Sequence, residues 1–132
     1  MKILTREATP VTPMIKFNPE NGLMEIQGRS IPNDSDDYWM PILSWFEGYM
    51  NHPQDETIFK VNLDYFNISS SKRILFLLYK LNELIDAGKK VRVIWEYRTE
   101  DEDMFEVGQD YAYMVKVPFE FVEIKESILV PV

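Results

Sequence analysis

Cysteine is missing from the sequence, and histidine occurs once, at His52. Without cysteine the chain forms no disulfide, no thiolate nucleophile and no cysteine-ligated zinc site, and one histidine cannot build a multi-histidine metal site. These absences exclude most of the familiar hydrolase chemistries. His52 stands beside Pro53 in a polar turn, where a solvated loop residue is a simpler interpretation than a catalytic base.

Positive charge is also scarce. Fourteen Lys and Arg against twenty-two Asp and Glu give a net charge of −8 and an isoelectric point near pH 4.6, so phosphate backbones and anionic lipid surfaces repel the chain. No apolar run reaches the roughly 18 residues that a membrane helix needs, and the first residues lack the apolar core of a signal peptide. We therefore expect a cytoplasmic protein with no nucleic-acid partner and no membrane insertion.

The size and the apolar content indicate one domain that spans residues 1–132. The chain has 132 residues, of which 45% are apolar and 14% aromatic, and this is enough to fill one core without disulfides or metals. We expect no cofactor. The last segment, Ser127 to Val132, is apolar but too short to predict an element.

Five segments have the β-branched and aromatic content of strands, and three have the spacing and boundaries of helices. The first two strands are joined by Asn18-Pro19-Glu20-Asn21-Gly22, a cluster of turn formers that predicts a hairpin. The predicted strands are Thr12–Phe17, Leu23–Gln27, Thr57–Phe66, Lys90–Tyr97 and a last one from Pro118 to about Ile124. The predicted helices begin near Ser35 to Tyr38, near Ser69 and near Asp103, and they end near Met50, Ala87 and Val115.

The order of these elements is β-β-α-β-α-β-α-β. Repeated strand-helix-strand units require right-handed crossovers and adjacent parallel strands. The predicted fold class is therefore a single α/β sandwich, in which a hairpin leads into a mixed, mostly parallel sheet with helices mainly on one face.

The first helix has an unusually wide apolar surface with two parallel stripes. One stripe is Tyr38, Ile42, Trp45 and Tyr49, and the next is Trp39, Leu43, Phe46 and Met50. The spacing alone allows two interpretations: both stripes are buried in the core, or one of them is exposed and binds a partner. Because the first stripe suffices to cover a sheet, we interpret the second as a candidate partner surface.

A strand passes into the second predicted helix through three consecutive serines, Ser69 to Ser71, after Asn67. Serine is favoured at helix starts because its oxygen accepts a hydrogen bond from a free backbone N–H, and this explains one serine. A phosphoryl group on this turn is the functional interpretation, since helix N-termini stabilise negative charge and Lys72 and Arg73 follow at once.

The pattern Tyr65-Phe66-Asn67-x-Ser69-Ser70-Ser71-Lys72, between a central strand and a long helix, resembles the SiaC-type regulatory phosphoproteins of bacteria. The resemblance extends to the hairpin that ends in Gly28-Arg29-Ser30-Ile31-Pro32, to the aromatic first helix, and to the elements Val93-Ile94-Trp95-Glu96-Tyr97 and Pro118-Phe119-Glu120. It covers nearly the whole chain. Members of this family are similar in fold to the STAS domains of anti-sigma-factor antagonists, and this agrees with the predicted order of elements.

The resemblance implies a non-enzymatic switch protein. A partner kinase phosphorylates a Ser or Thr at the strand-helix turn, a PP2C-like phosphatase removes the phosphate, and the unmodified form engages an effector such as a diguanylate cyclase. The family acceptor is the first residue after the Asn, which here is Ile68 and has no hydroxyl. Either the switch is lost or the acceptor has moved to Ser69 or Ser70, and we take the moved acceptor, with Asn67, Ser71, Lys72 and Arg73 as its neighbours.

A second function from a different class is a STAS-like domain that binds a small anionic or nucleotide ligand at the helix start between Ser69 and Lys72. A closed polar pocket there favours the ligand, and a flat surface that joins the turn to an aromatic patch favours docking. Carboxylates cluster before the first and third helices, but acids are common there without a metal, so we expect no metal site. The clusters are Asp34, Asp36 and Asp37, and Glu100 to Asp103.

Overall fold

The computed structural model describes residues 1–125, so the apolar segment from Ser127 to Val132 lies outside the described residues. Nine elements follow one another along this part of the chain. They are β1 (Leu4–Arg6), β2 (Met14–Phe17), β3 (Leu23–Ser30), α1 (Ser35–Tyr49), β4 (Glu56–Phe66), α2 (Ile68–Asp86), β5 (Lys90–Arg98), α3 (Glu102–Met114) and β6 (Phe119–Ile124).

The six strands form one sheet whose spatial order, β1-β2-β3-β4-β5-β6, is the order of the sequence. The pairs β1·β2 and β2·β3 are antiparallel, and the other three neighbouring pairs are parallel. Right-handed crossovers that all advance in one direction put α1, α2 and α3 on the same face of the sheet. The predicted fold class is therefore confirmed.

The core lies between the sheet and the three helices. In β4 and β5 every second residue is buried, as a strand with one covered face requires. One buried row crosses four strands in register and consists of Phe17, Met24, Phe59 and Val93. The helices contribute buried residues such as Ile42, Ile74, Leu77 and Leu81 to the same core.

Two features of the strands differ from the sequence prediction. β1 was not predicted, because three residues with no buried member give too little pattern. β3 continues to Ser30, whereas the predicted strand ended at Gln27, because a register shift between Gly28 and Arg29 lets the strand resume its pairing with β4. The predicted β2–β3 hairpin is present, and Gly22 in its turn has a φ of +73°.

The interpretation of the second stripe of α1 as a partner surface is wrong. Trp39 and Phe46 are 0% and 1% exposed, Leu43 is buried, and Met50 is half-buried against the core. The physical reason is that three neighbours cover α1. The sheet lies beneath it, α2 packs along one side, and the N-terminal segment packs along the other. Tyr38 and Trp45 lie on that side.

Candidate functional site

The second helix begins where β4 ends, at a cap formed by Asn67. The Asn67 backbone is extended, with φ −83° and ψ 175°, and its Oδ1 accepts a hydrogen bond from the Ser70 backbone N–H at 2.9 Å. Asn67 therefore does the capping that the sequence had assigned to serine, and the helix starts at Ile68, one residue earlier than predicted.

The three serines that follow have different environments. Ser70 is 0% exposed, and its Oγ lies 2.7 Å from Ser30 Oγ and donates to the Ser30 carbonyl at 3.1 Å. These contacts hold the start of α2 against the end of β3. A buried hydroxyl with two partners is closed to a kinase, so the expectation of Ser70 as an alternative phosphoacceptor is corrected.

Ser69 and Ser71 are both half-buried, but they face different neighbours. Ser69 Oγ donates to the Asn67 cap oxygen at 3.1 Å, and Ser71 Oγ donates to the Ile68 carbonyl at 2.7 Å. Ser69 lies in the first turn beside the cap, where a phosphate reaches the positive end of the helix dipole. Ser69 stays the phosphoacceptor candidate.

Two cations follow the serines along α2. Arg73 forms an ion pair with Asp36 in the first turn of α1, so the starts of the two helices are tied together. Lys72 is exposed and has no ion pair among the described residues. In this structure Lys72 is therefore the cation near Ser69 that a carboxylate does not already neutralise.

Large apolar side chains are exposed around this turn. Ile68 is 78% exposed and Tyr65, at the end of β4, is 53% exposed. Further along α2, Tyr79 is 46% and Phe76 38% exposed. This surface was not predicted from the sequence, although helical spacing from the buried positions Ile74, Leu77 and Leu81 places Ile68 and Tyr79 on the opposite side of α2.

Tyr111 of α3 also contacts the serine turn. Its hydroxyl donates to the Ser71 carbonyl at 2.9 Å, and its ring lies 5.7 Å from Trp95 and 6.4 Å from Phe66 between ring centroids. Burial raises the pKa of Tyr111 well above its usual value, and the side chain of Ser71 opposes this in part. The first turn of α2 is thus held by β3, by α1 and by α3.

The two clusters of carboxylates act at helix starts. Asp34 Oδ1 accepts from the Asp37 backbone N–H at 3.0 Å, and Asp101 Oδ1 accepts from that of Met104 at 3.0 Å. Both residues are N-caps. Residues 1–125 contain no group of three acidic or histidine side chains arranged to hold a metal ion. None of their helices is long and apolar enough to cross a membrane.

Surface clefts of about 420 to 580 Å³ lie at several other places on the molecule. One lies at the start of α1 and includes Arg6, Asp34 and Tyr38, and two lie beside the N-terminal residues. None of these five clefts is lined by Ser69 or Lys72. The serine turn instead adjoins exposed apolar side chains.

The mixed sheet, the three helices and the serine turn at the start of the second helix place the chain in the α/β class. The model of the SiaC family regulatory phosphoproteins matches residues 6–124, and the chain belongs to this family. The fold of the family's solved structures is also the fold described above.

Three relatives illustrate this similarity. An uncharacterised protein of Pseudomonas aeruginosa strain UCBPP-PA14 is 27% identical over 111 residues, which are 84% of this chain and 88% of that protein. The crystal structure of apo-SiaC from P. aeruginosa is 25% identical, with a TM-score of 0.84 over 92% of this chain and 99% of that one. A chain in the crystal structure of the diguanylate cyclase SiaD in complex with its activator SiaC, also from P. aeruginosa, is 26% identical, with a TM-score of 0.87 over 92% and 99% of the two chains.

Proposed function

We propose that this protein is a phosphorylation-controlled docking protein. A partner kinase phosphorylates Ser69, a PP2C-like phosphatase removes the phosphate, and the unmodified form binds an effector such as a diguanylate cyclase without catalytic turnover of its own. Membership of a family of regulatory phosphoproteins supports the phosphorylation, and the complex of the relative SiaC with SiaD supports an effector of this class.

The observation that carries the proposal is the position of Ser69. Its hydroxyl lies in the first turn of α2, half-buried and next to the exposed side chain of Ile68. A phosphate there carries about −1.5 to −2 charges, which the helix dipole and Lys72 stabilise locally. The fold therefore tolerates the modification, while any partner that contacts Ile68 meets a new dianion.

The second candidate function, binding of a small anion at the same helix start, has less support. Asn67 Oδ1 already occupies the backbone N–H of Ser70, and an anion held by the first turn needs such groups to be free. The turn also adjoins the exposed side chains of Tyr65 and Ile68 rather than one of the clefts described above.

The site of phosphorylation is tested by peptide mass spectrometry on the protein purified from its native host, before and after treatment with a PP2C-type phosphatase. We expect a phosphatase-sensitive phosphate on Ser69 that is absent from the Ser69→Ala variant and retained in Ser71→Ala. A phosphate only on Ser71, or none under any growth condition, contradicts the proposal.

The effector is tested by affinity capture from native lysate with the unmodified protein and with Ser69→Asp. We expect a diguanylate cyclase to be recovered with the unmodified protein and to be depleted with Ser69→Asp, since a carboxylate supplies part of the charge of a phosphate. Equal recovery with both proteins contradicts control at this serine.

A further inference from the structure

The start of α2 differs in charge from the starts of the other two helices. α1 and α3 are capped by Asp34 and Asp101, and each has two carboxylates in its first turn. The cap of α2 is the neutral Asn67, and its first turn contains no acid. Because the N-terminal end of a helix stabilises negative charge, α2 is the helix of residues 1–125 that gains most from a negative group in its first turn.

Arg73 lies one helical turn after Ser69, and its side chain reaches α1. Its guanidinium forms an ion pair with Asp36 in the first turn of α1. Residues four apart in a helix are neighbours on its surface, and an acidic group four residues before a cation is the favourable order. A phosphate on Ser69 is therefore within reach of a guanidinium that already has a partner on another helix.

The ion pair between Arg73 and Asp36 is open to exchange. The side chain of Asp36 is 73% exposed and that of Arg73 is 29% exposed, and ion pairs in contact with solvent contribute little to stability. A phosphate has about −1.5 to −2 charges and three acceptor oxygens, which is more than a carboxylate offers. A guanidinium also binds phosphate oxygens through two parallel N–H groups. The phosphate is therefore the stronger partner for Arg73.

Asp36 remains stabilised when Arg73 leaves it. Its carboxylate lies in the first turn of α1, where the helix dipole favours a negative charge without a cation. That turn is also held by Asp34, whose Oδ1 accepts from the Asp37 backbone N–H at 3.0 Å and whose carbonyl accepts from that of Tyr38 at 3.1 Å. An exchange of partners thus leaves α1 folded and removes this ion pair between α1 and α2.

We propose that Arg73 is a positioning residue that changes its partner, binding Asp36 of α1 when Ser69 is unmodified and the phosphate when Ser69 is phosphorylated. The proposal deepens the function proposed above and rests on its assignment of Ser69. The modification on α2 then alters the first turn of α1, where Asp34, Asp37 and Tyr38 line one of the surface clefts.

The test uses the full-length protein with phosphoserine installed at position 69 during synthesis, so that no kinase is needed. The second ionisation of the phosphate, ordinarily near pH 6, is followed by phosphorus NMR. We expect Arg73→Met to lower the second ionisation constant about threefold, because a cation that favours the dianion is removed. Lys72→Met, three residues from Ser69, is the matched control and is expected to have the smaller effect.

A double-mutant cycle shows whether Asp36 competes with the phosphate for Arg73. Asp36→Asn frees the guanidinium and removes a nearby negative charge, so we expect it to raise the second ionisation constant of the phosphate about threefold. In the Arg73→Met background only the effect of the removed charge is left. There we expect Asp36→Asn to change the constant less than twofold.

The consequence for α1 is measured by amide hydrogen exchange at Asp37 and Tyr38. Phosphoserine at position 69 and the unmodified Arg73→Met variant both remove the ion pair, so we expect each to raise exchange there about two- to threefold. Phosphoserine is expected to add nothing further in Arg73→Met. The control is the amide of Met104 at the start of α3, which donates to Asp101 Oδ1 and is expected to exchange unchanged. Thermal melts show whether each variant is folded.

The proposal is overturned if Arg73→Met leaves the ionisation of the phosphate unchanged, or if Lys72→Met has the larger effect. It is also overturned if Asp36→Asn acts equally in both backgrounds, or if phosphoserine leaves exchange at Asp37 and Tyr38 unchanged. Absence of a phosphate on Ser69 in the native host contradicts the proposed function and leaves these measurements intact. A phosphate on Ser69 without the exchange of partners contradicts this inference alone.

Discussion

Two adjacent aromatic residues of α1 stabilise the molecule in different ways. Phe46 is 1% exposed, and its ring lies 6.4 Å from Phe17 and 5.9 Å from Tyr49 between centroids. Trp45 is half-buried, stacks on Tyr49 and donates its Nε1 hydrogen to the Lys2 carbonyl at 2.9 Å. The first contributes by filling the core, and the second by holding the N-terminal segment.

We predict that Phe46→Ala lowers the free energy of unfolding by about 3–5 kcal/mol, because it removes a fully buried ring and leaves a cavity. The matched change Trp45→Phe keeps an aromatic ring and loses one hydrogen bond, so we expect a loss of about 1 kcal/mol. Urea denaturation of the two variants checks this. Similar losses for both contradict the assignment of Phe46 to the core.

At Ser69 the predicted effect is on binding rather than on stability. Ser69→Asp adds a negative charge at the positive end of α2, which is favourable for the helix by a few tenths of a kcal/mol. We therefore expect the thermal midpoint of Ser69→Asp to match that of the unmodified protein within about 2 °C. A strongly lowered midpoint for Ser69→Asp would mean that the Ser69 hydroxyl stabilises the fold. The comparison is Ser70→Ala, which breaks the buried contact with Ser30 and is expected to lower the midpoint.

The raised pKa of Tyr38 predicts how the free energy of unfolding changes in alkali. Burial raises its pKa to about 12, with Arg6 opposing this in part, and its hydroxyl donates to the Pro13 carbonyl at 3.2 Å. The folded protein therefore holds this proton more tightly than the unfolded chain, whose tyrosines titrate near pH 10. Below pH 10 the titration of Tyr38 does not change the free energy of unfolding. As the pH rises from about 10 to 12, the free energy of unfolding falls.

The measurement is the urea midpoint as a function of pH, with Tyr38→Phe as the control. The Phe variant removes the contribution of Tyr38 and retains that of Tyr111, so its decline in alkali is expected to be shallower. An identical decline in both proteins contradicts the shifted titration of Tyr38.

At the scale of elements, the position of α3 depends on one glycine. A Cβ atom at Gly108 would lie 2.5 Å from Trp95 Nε1 and 2.9 Å from Phe121 Cε1. Trp95 is itself fixed, since it is fully buried and its Nε1 donates to the Met104 carbonyl at 3.0 Å. The helix approaches the sheet this closely only because Gly108 has no side chain.

We predict that Gly108→Ala destabilises the protein by about 1–3 kcal/mol through overpacking, even though alanine favours helix. Gly48→Ala in α1 is the matched control, because its nearest neighbour is the flexible end of Met1 at 3.0 Å. There we expect a neutral or slightly stabilising effect. Differential scanning calorimetry of both variants distinguishes the two environments.

The elements also show what a sequence of this kind predicts. Helical and strand periodicity located the three helices and the strands β2 to β6, because each spans several turns or several alternations. β1 was missed because it has three residues. The second stripe of α1 was wrongly assigned to a partner surface, although both stripes contribute to the core. Periodicity gives the width of an apolar surface but not which neighbouring segment covers each part of it.

The candidate site was predicted in position but not in detail. The serine turn, Lys72 and Arg73 were found from the strand-helix junction. The distinction among the three serines depends on Ser30, forty residues from Ser70 in the chain, and no local pattern carries that contact. The same holds for Arg73, whose partner Asp36 belongs to another helix.

At the scale of the whole molecule, the helices of residues 1–125 cover one face of the sheet and leave the other without a helix. Its other face alternates half-buried aliphatic residues with charges, as with Ile58, Lys60 and Ile94. Ion pairs cross this face between neighbouring strands, at 3.9 Å for Lys60 with Glu96 and 3.2 Å for Arg92 with Glu120. Charge thus protects an otherwise apolar sheet from other molecules.

This arrangement predicts a pH-dependent solubility. The net charge of −8 disappears near pH 4.6, where repulsion between molecules is lost and the aliphatic residues of the open face can associate. We expect a solubility minimum there, measured by light scattering across pH. Ile94→Thr, which leaves the net charge unchanged, is expected to reduce the scattering, and a variant that scatters as strongly as the parent contradicts the role of this face.

The agreement between strand order in the sheet and strand order in the chain has a consequence for synthesis on the ribosome. Every strand pairs with the one made just before it, so a nascent chain can add strands one by one from the N-terminus, without reserving a gap for a later segment. Each intermediate has a single growing edge. For the described residues that edge is β5 until the ribosome delivers β6, and premature termination after α3 would release a molecule with this edge uncovered.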